Sequence, residues 1–307
     1  MRKIARSSLF WFVVIAVAVA ALLPLWVSGY VLGILTVAYY YGVFSMAWDL
    51  LFGFAGEVNF GPTFLIGLGA YGAALLDNAG LGVPLSMLGG TIAALVGGLL
   101  LALPALRMRG PYFGLVTLVA VLILQNVIVI FAHFTGGEIG MTVNDVLSID
   151  TNVNYWYALG FMIICGIILF GLSRSALGLI LQASGQDPIE AQALGFNVVK
   201  HKLAAFCISA IFSGLTGTML VFYMGAASVG TIVDISIGVQ IIIAAVLGGR
   251  RTILGGVIGA IFLILATEFL RPLGQLNTFV VSGIALLVIL FFPDGMLGYL
   301  LRRGERG

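Results

Sequence analysis

Charge is the scarcest ingredient of this sequence. Asp, Glu, Lys and Arg make up 8% of its 307 residues, against about a quarter in a soluble domain. So few charges cannot cover a water-facing surface. With 61% hydrophobic residues and a mean hydropathy of +1.18, most of the outer surface must face lipid. The net charge of +2 is spread thinly enough that no stretch could present a basic face to nucleic acid. Cysteine and histidine are almost missing. Cys165 and Cys207 both fall in apolar runs and read as small buried hydrophobes, not as a disulfide or metal ligands. His133 and His201 lie on separate loops, which excludes a metal cluster and the group of polar side chains an integral membrane enzyme would need. No catalytic residue is expected. The only lysines are Lys3, Lys200 and Lys202, and none follows a glycine, so no phosphate loop G-x-x-x-x-G-K-[ST] exists. No cofactor is expected on this chain, and any ATP that powers it must be bound by another.

What the sequence has is apolar runs. A hydrocarbon core needs ~20 apolar residues per helical crossing, and backbone groups in lipid must pair within the segment or within a closed barrel. Continuous runs exclude a barrel's alternation. The expected fold is an all-α, polytopic membrane helix bundle forming a single domain over 1–307. Spans are expected near 8–27, 31–50, 62–77, 83–104, 112–132, 155–173, 203–224, 232–249, 253–270 and 277–292. The third is short and glycine-rich, a half-span or a broken helix, which leaves roughly eight to ten crossings. The first could imitate a signal peptide, but the run Leu9–Val27 is long for one and lacks a clear cleavage site, so it reads as a retained span.

With the N-terminus inside, Arg2, Lys3, Arg6, Arg107, Arg109, Arg174, Lys200, Lys202, Arg250, Arg251, Arg302, Arg303 and Arg306 share one side. Arg271 alone falls outside. By the positive-inside rule both termini are expected in the cytoplasm. The outer loop 133–154 is acidic (Glu138, Asp145, Asp150), and the cytoplasmic loop 174–202 is the longest inner connection. The 42 glycines, among them Gly67, Gly69, Gly72 and the pair Gly255 and Gly259, suit helices whose backbones approach closely. The glycine-rich regions after Phe52 and after Gly225 echo one another.

Within the inner loop, residues 186–197 read as a complete short helix. Asp187 can be the N-cap, Pro188 occupies the first helical position, and Glu190 stands where a capping box places its carboxylate. Gly195 supplies the left-handed residue that ends it. So short a helix needs bracing by the bundle or by a partner.

These residues carry a resemblance. Glu190-Ala191, Ala193-Leu194-Gly195 and Asn197-Val198 resemble the coupling loop of ABC importer permeases. The surrounding motifs narrow the likeness to the LivM-type permeases of branched-chain amino acid importers. They are Ala55-Gly56 through Gly61, Gly67-Leu68-Gly69-Ala70-Tyr71, Arg109-Gly110-Pro111-Tyr112-Phe113 with Thr117-Leu118, and Thr135-Gly136-Gly137. Val246-Leu247-Gly248-Gly249, Gly255-Gly256 through Ala260, and Phe292-Pro293-Asp294-Gly295-Met296-Leu297-Gly298 complete the series. Two departures stand out: Glu57 where the family usually carries Gln, with Pro62 where it often has His, and Arg250-Arg251 in place of small or neutral residues.

The resemblance implies a transport subunit of a bacterial or archaeal plasma (inner) membrane. It would work with a second, LivH-like permease or a copy of itself, two cytoplasmic ATP-binding subunits that hold ATP and Mg, and an extracytoplasmic solute-binding protein. The solute would be a branched-chain amino acid or, as in close relatives, urea or a short amide. Coupling to the ATPase would fall to Asp187, Glu190, Ala191, Ala193, Leu194 and Gly195, although Glu190 could instead serve only its own capping box. Candidate translocation-pathway residues are Glu57, Asn59, Gly61, Gln125 and Asn126. Against this, Glu57 and Asn59 could lie in a solvated interfacial loop, and the two amides could pair with a neighbouring helix. Asp234 reads as a cap, and Tyr39, Tyr40, Tyr41 and Trp48 as interface anchors or bundle packing. The competing function is a self-contained secondary transporter or channel, which would place a membrane-buried charge or broken helices in corresponding halves.

Overall fold

The computed structural model describes residues 14–106, 108, 112–274 and positions 276, 280, 283, 286, 287 and 295. The expected first span is therefore seen from Val14 onward. The last, 277–292, lies largely outside the described residues, as do Arg109-Gly110-Pro111, the basic residues of both termini and most of the closing motif.

The described chain is helical, as its composition requires. Helix α1 spans Val14–Leu25. There follow α2 (Gly29–Asp49), α3 (Pro62–Asn78), α4 (Gly82–Ala105), α5 (Tyr112–Ile130), the single turn α6 (Ala132–Thr135) and α7 (Thr151–Arg174). Then come α8 (Ala176–Gln186), α9 (Pro188–Ala193), α10 (Val198–Met224), α11 (Ile235–Gly248) and α12 (Leu254–Phe269). The two short strands, β1 (Met141–Thr142) and β2 (Ala226–Ala227), pair antiparallel with Met141 opposite Ala227. Among the described residues six helical stretches are long and apolar enough to cross a membrane: Gly29–Phe54, Gly82–Ala105, Tyr112–Ile130, Thr151–Arg174, Val198–Met224 and Val229–Gly248. Helices α1 and α12 are apolar but shorter.

The expected short third span is α3, one unbroken helix. Its 17 residues reach about 26 Å, less than the ~30 Å hydrocarbon core. The break lies before it. Helix α2 runs on into a π-turn at Leu50–Phe54, and the chain then returns irregularly through 55–61 to Pro62. A second break follows α10. There the chain forms β2 and a π-turn at Val229–Val233 before α11 begins. The two breaks open at opposite ends of the bundle. Helices α3 and α11 then lie alongside one another in opposite directions, with Pro62 against Gly238 and Gly67 against Val233. The echo between the two glycine-rich regions is thus an inverted structural relationship.

Packing is close where glycines meet. A methyl group on Gly69 would run into the Gly214 carbonyl, one on Gly90 into the Gly69 carbonyl, and one on Gly259 into the Ala244 carbonyl. Helices α3, α4 and α10 form one tight trio, and α11 packs on α12. Dispersion between such closely set backbones replaces the hydrophobic drive that lipid cannot supply. The aromatic run of α2 serves packing. Tyr39, Tyr40 and Tyr41 are buried, Tyr39 shares a hydrogen bond of 2.8 Å with Tyr155, and Trp48 stacks on Phe52.

The ends of the bundle differ in charge. Arg174, Lys200, Lys202, Arg250 and Arg251 gather at the end that carries α8 and α9, while Arg271 sits at the far end beside Glu268 and Tyr30. The far-end loop 133–154 is tied down. Asp77 Oδ2 accepts from the amides of Asn144 and Asp145 at 2.7 and 3.1 Å, and the amides of Val143 and Leu147 donate to the carbonyls of Gly225 and Phe222.

At the α8–α9 end, the α11–α12 connection is strained. Arg251 and Ile253 both have positive φ (65° and 54°), and the Leu254 amide donates to the Thr252 carbonyl across Ile253 at 2.6 Å. That is a γ-turn centred on a β-branched residue, an expensive conformation. Asp49, 1% exposed, holds it in place. Its two carboxylate oxygens accept from the amides of Arg251 and Ile253, each at 3.0 Å. The Arg251 side chain donates to the Gly53 carbonyl at 2.8 Å, and the Arg250 guanidinium lies 4.4 Å from the centre of the Phe52 ring. The Asp49→Asn variant keeps the shape but turns an NH2 group toward one of those amides. It should lose about 1–3 kcal/mol of stability, read as a lowered unfolding temperature of the detergent-solubilised protein. Unchanged unfolding would show that the carboxylate does not hold the turn.

Candidate functional site

The inner segment 174–202 folds as the helix pair α8–α9 and leads directly into α10. Asp187 Oδ1 accepts from the amides of Ile189 and Glu190 at 2.8 and 3.0 Å, the N-cap read from the sequence. The reciprocal half of a capping box is not made. The Asp187 amide donates instead to the Ala183 carbonyl at 3.1 Å, closing the end of α8, and so the exposed Glu190 carboxylate has no role in the cap. Gly195, at φ 88°, ends α9 in the left-handed region. The amides of Gly195 and Phe196 then donate to the carbonyls of Gln192 and Ala191. Ala191 is buried beneath the helix, whereas Ala193 is exposed. Ile189 (79%) and Leu194 (74%) stand out into solvent. A notch of ≈ 350 Å³ lies between α9 and the start of α10, lined by Gln192, Gly195, Phe196, Asn197, Val198 and Val199. Two apolar side chains projecting from so small and so firmly capped a helix are suited to insertion into another protein.

The segment 55–61 lies against this helix pair. A Cβ on Gly56 would meet Gly185 of α8 at 3.1 Å, and Gly56 itself is at φ 75°. Glu57 forms an ion pair of 2.6 Å with Lys202 of α10. Asn59 is buried. Its Oδ1 accepts from the Gly61 amide at 2.8 Å and its carbonyl from the Trp48 indole N–H at 2.7 Å. The Phe60 amide donates to Thr117 Oγ1 of α5 at 3.0 Å, and Gly61 abuts the Thr117 carbonyl. Asn59 therefore organises the break from a buried position, while Gly56 and Phe60 of the same segment are exposed.

Farther along α5, Gln125 donates to the Val233 carbonyl at 3.0 Å, serving the second break, and Asn126 donates within its own helix to Leu122 at 2.8 Å. Both face a cleft of ≈ 390 Å³ that Val129, Glu138, Val229 and Gly230 complete. Glu138, read only as part of an acidic loop, and the start of the second π-turn thus join the two amides. The five candidate pathway residues form two groups. Glu57, Asn59 and Gly61 lie at the first break, and Gln125 and Asn126 lie at the second. Asp234 caps α11 by accepting from the Ser236 amide at 2.7 Å.

Two residues that the sequence reading did not single out carry much of this arrangement. They are Asp49, which holds the α11–α12 turn, and Asp77, which holds the far-end loop. The available signal was an acid at the end of an apolar run, where a charge without a partner would be costly. Both cysteines are free, and among the described residues no group of three His, Cys, Asp or Glu is placed to hold a metal ion.

Residues 30–292 match the family described as branched-chain amino acid transport system / permease component. The chain is 26% identical to the high-affinity branched-chain amino acid transport system permease protein LivM of Salmonella typhimurium, over 95% of this chain and 75% of that one. It is 27% identical to the corresponding permease protein BraD of Pseudomonas aeruginosa, covering 86% and 93% of the two chains. It is 24% identical to the LivH permease of Salmonella typhimurium, covering 84% and 91%. No solved structure matches it significantly.

Removing the α9 cap should be visible locally. Asp187→Ala should cost about 1 kcal/mol of helix stability, which is about fivefold faster hydrogen exchange at the amides of Ile189 and Glu190, while Asp187→Asn stays close to the parent. Equal exchange in all three proteins would mean that α9 is held by something other than its cap.

Proposed function

This chain belongs to the family of branched-chain amino acid transport system permease components, and from that premise we propose how it works. It forms one half of a path for a branched-chain amino acid across a bacterial inner membrane. The work is supplied through α9 by a separate ATPase. Membership of an ABC permease family already implies ATPase partner subunits. The finer composition proposed is two such subunits holding ATP and Mg, a second permease of LivH type, and a solute-binding protein at the far end.

The observation that carries the proposal is α9 itself, a capped helix with Ile189 and Leu194 exposed, at the end of the bundle where the described cations gather. Positive charge marks that end as cytoplasmic, the compartment in which an ATPase would meet it. Asp187 and Gly195 fix the ends of the helix, Ala191 seats it, and Glu190, Ala193 and Leu194 remain available to a partner. When two ATPases close on ATP, the grooves holding the α9 helices move. The bundle then shifts between an outward-open and an inward-open packing, because the partner contacts the two packings differently.

The cleft at Gln125, Asn126 and Glu138 suits a zwitterionic amino acid. The amides can bind its carboxylate, Glu138 its ammonium group, and Val129 and Val229 an aliphatic side chain. An exposed amide such as Asn126 in an apolar helix also argues that this face of α5 meets the second permease or the path rather than lipid. The chain is similar to both LivM and LivH, so a partner of the same fold would face it across this surface.

A secondary transporter is the other reading that the inverted breaks favour. Its most plausible coupling charge, Asp49, has both oxygens occupied by backbone amides, which argues against it. In liposomes, the chain alone should neither hydrolyse ATP nor take up leucine down an ion gradient, and gradient-driven uptake would decide for the secondary transporter. In the assembled transporter, Gly195→Pro and Glu190→Arg should each lower leucine uptake about tenfold or more, within the range of coupling energies, while the chain still inserts. Normal uptake in both variants would remove the role given to α9.

A further inference from the structure

We propose that the Glu57–Lys202 ion pair is a transmission link that carries the displacement of α9 into the first break and from there into α5. The inference rests on the reading of α9 as the ATPase contact, and it names how that contact reaches the path. Lys202 lies in the second turn of α10, joined to α9 only by residues 194–197, whose Asn197 caps α10 through the Lys200 amide. Moving α9 therefore moves Lys202. On the other side, Glu57 opens the irregular segment that leads to Pro62: its own amide still donates to the Leu51 carbonyl at 3.2 Å, and beyond it residues 58–61 lie outside any helix. The pair joins these two elements at 2.6 Å with its side chains only 14% and 17% exposed. In such surroundings solvent screens an ionic contact less than it would at an open surface. It therefore acts in both directions, pulling the break when Lys202 retreats and holding it when α9 returns.

The segment that Glu57 belongs to is joined onward as well. Phe60 and Gly61 lie on Thr117 of α5, and Gln125 stands two turns farther along that rigid helix, about 12 Å away. The backbone contact between Gly56 and Gly185 anchors the near edge of the segment on α8 and makes it a lever with its support beside the ion pair. Spatial continuity alone does not establish coupling, so the test must reverse the charges.

A Val129→Cys reporter at the cleft of α5, with Cys165 and Cys207 replaced by alanine, is labelled with a membrane-impermeant maleimide. The assembled transporter, purified through a tag on this chain, is labelled without nucleotide and with ATP, Mg and vanadate. In the parent, nucleotide should change the labelling rate. In Glu57→Lys and in Lys202→Glu that change should fall about tenfold, with the ATPase still co-purifying and still hydrolysing ATP. In the double reversal it should return. Retention of the full change in either single reversal overturns the link. So does a double reversal that stays defective, because the exchanged charges re-form the ion pair; it is the intact assembly and ATP hydrolysis of the single reversals that set a lost link apart from a lost fold. A parent without nucleotide-dependent labelling overturns it as well. If instead no ATPase co-purifies with the parent, the reading of α9 fails first and the link falls with it.

Discussion

A backbone polar group in hydrocarbon must have a partner, and the two breaks in this bundle exist only because protein supplies those partners. Irregular chain at membrane depth is tolerated where other protein encloses it. At the first break Asn59 Oδ1 takes the Gly61 amide, the Trp48 indole takes the Asn59 carbonyl, and Thr117 takes the Phe60 amide. At the second, Gln125 takes the Val233 carbonyl and Asp234 the Ser236 amide. Side-chain hydrogen bonds thus satisfy the chain where a helix stops, while elsewhere the helices are joined by small residues and by a few contacts such as Tyr39 with Tyr155 and Ser45 with the Ile241 carbonyl.

The same economy explains the turn between α11 and α12. A γ-turn at Ile253 with Arg251 also at positive φ would relax if it were free. Asp49 prevents that by binding two backbone amides at once, and Arg251 and Arg250 close over Gly53 and Phe52. The end of α2 and the α11–α12 turn therefore move as one body. Strain that surrounding contacts over-determine in this way is typical of switch regions. Here it lies at the end of the bundle that also carries α9, and it stiffens the half of the molecule against which the first break would be displaced.

How much of this was legible in the sequence depended on whether the signal was local. Helices α4, α5, α7 and α10 were visible as apolar runs, because lipid imposes the same requirement on every residue of a crossing. The α9 cap was visible because Asp187, Pro188 and Gly195 act on neighbours within a turn. The capping-box role of Glu190 was not realised, because the Asp187 amide already belongs to α8, a helix that composition had merged into a loop. The interruption before α11 was only partly legible: the run expected at 232–249 took in Ile232 and Val233, apolar enough to pass for helix, and left Val229 to Thr231 outside it. Asp49 and Asp77 were hidden for another reason. Their partners lie far away along the chain, and a lone acid at the end of an apolar run looks like an interfacial residue until the fold brings a turn to it. At the candidate site, the positions of Glu57, Asn59, Gln125 and Asn126 could be singled out as unusual. That they divide between two breaks facing opposite ends of the bundle could not.

This division bears on how one motor can act on both ends of the path. The α8–α9 pair touches the first break through Gly56 and Glu57 but lies far from the second. Helix α5 spans the distance, resting on the first break at Thr117 and holding the second at Gln125, and α3 and α11 lie antiparallel beside one another between them. On the proposed reading, a helix fastened to two breaks of opposite orientation would convert a displacement at one end into an opposing change at the other, and the two openings would not need separate control. Glycine contacts between α3, α4 and α10 leave no compressible layer in which the motion could be lost.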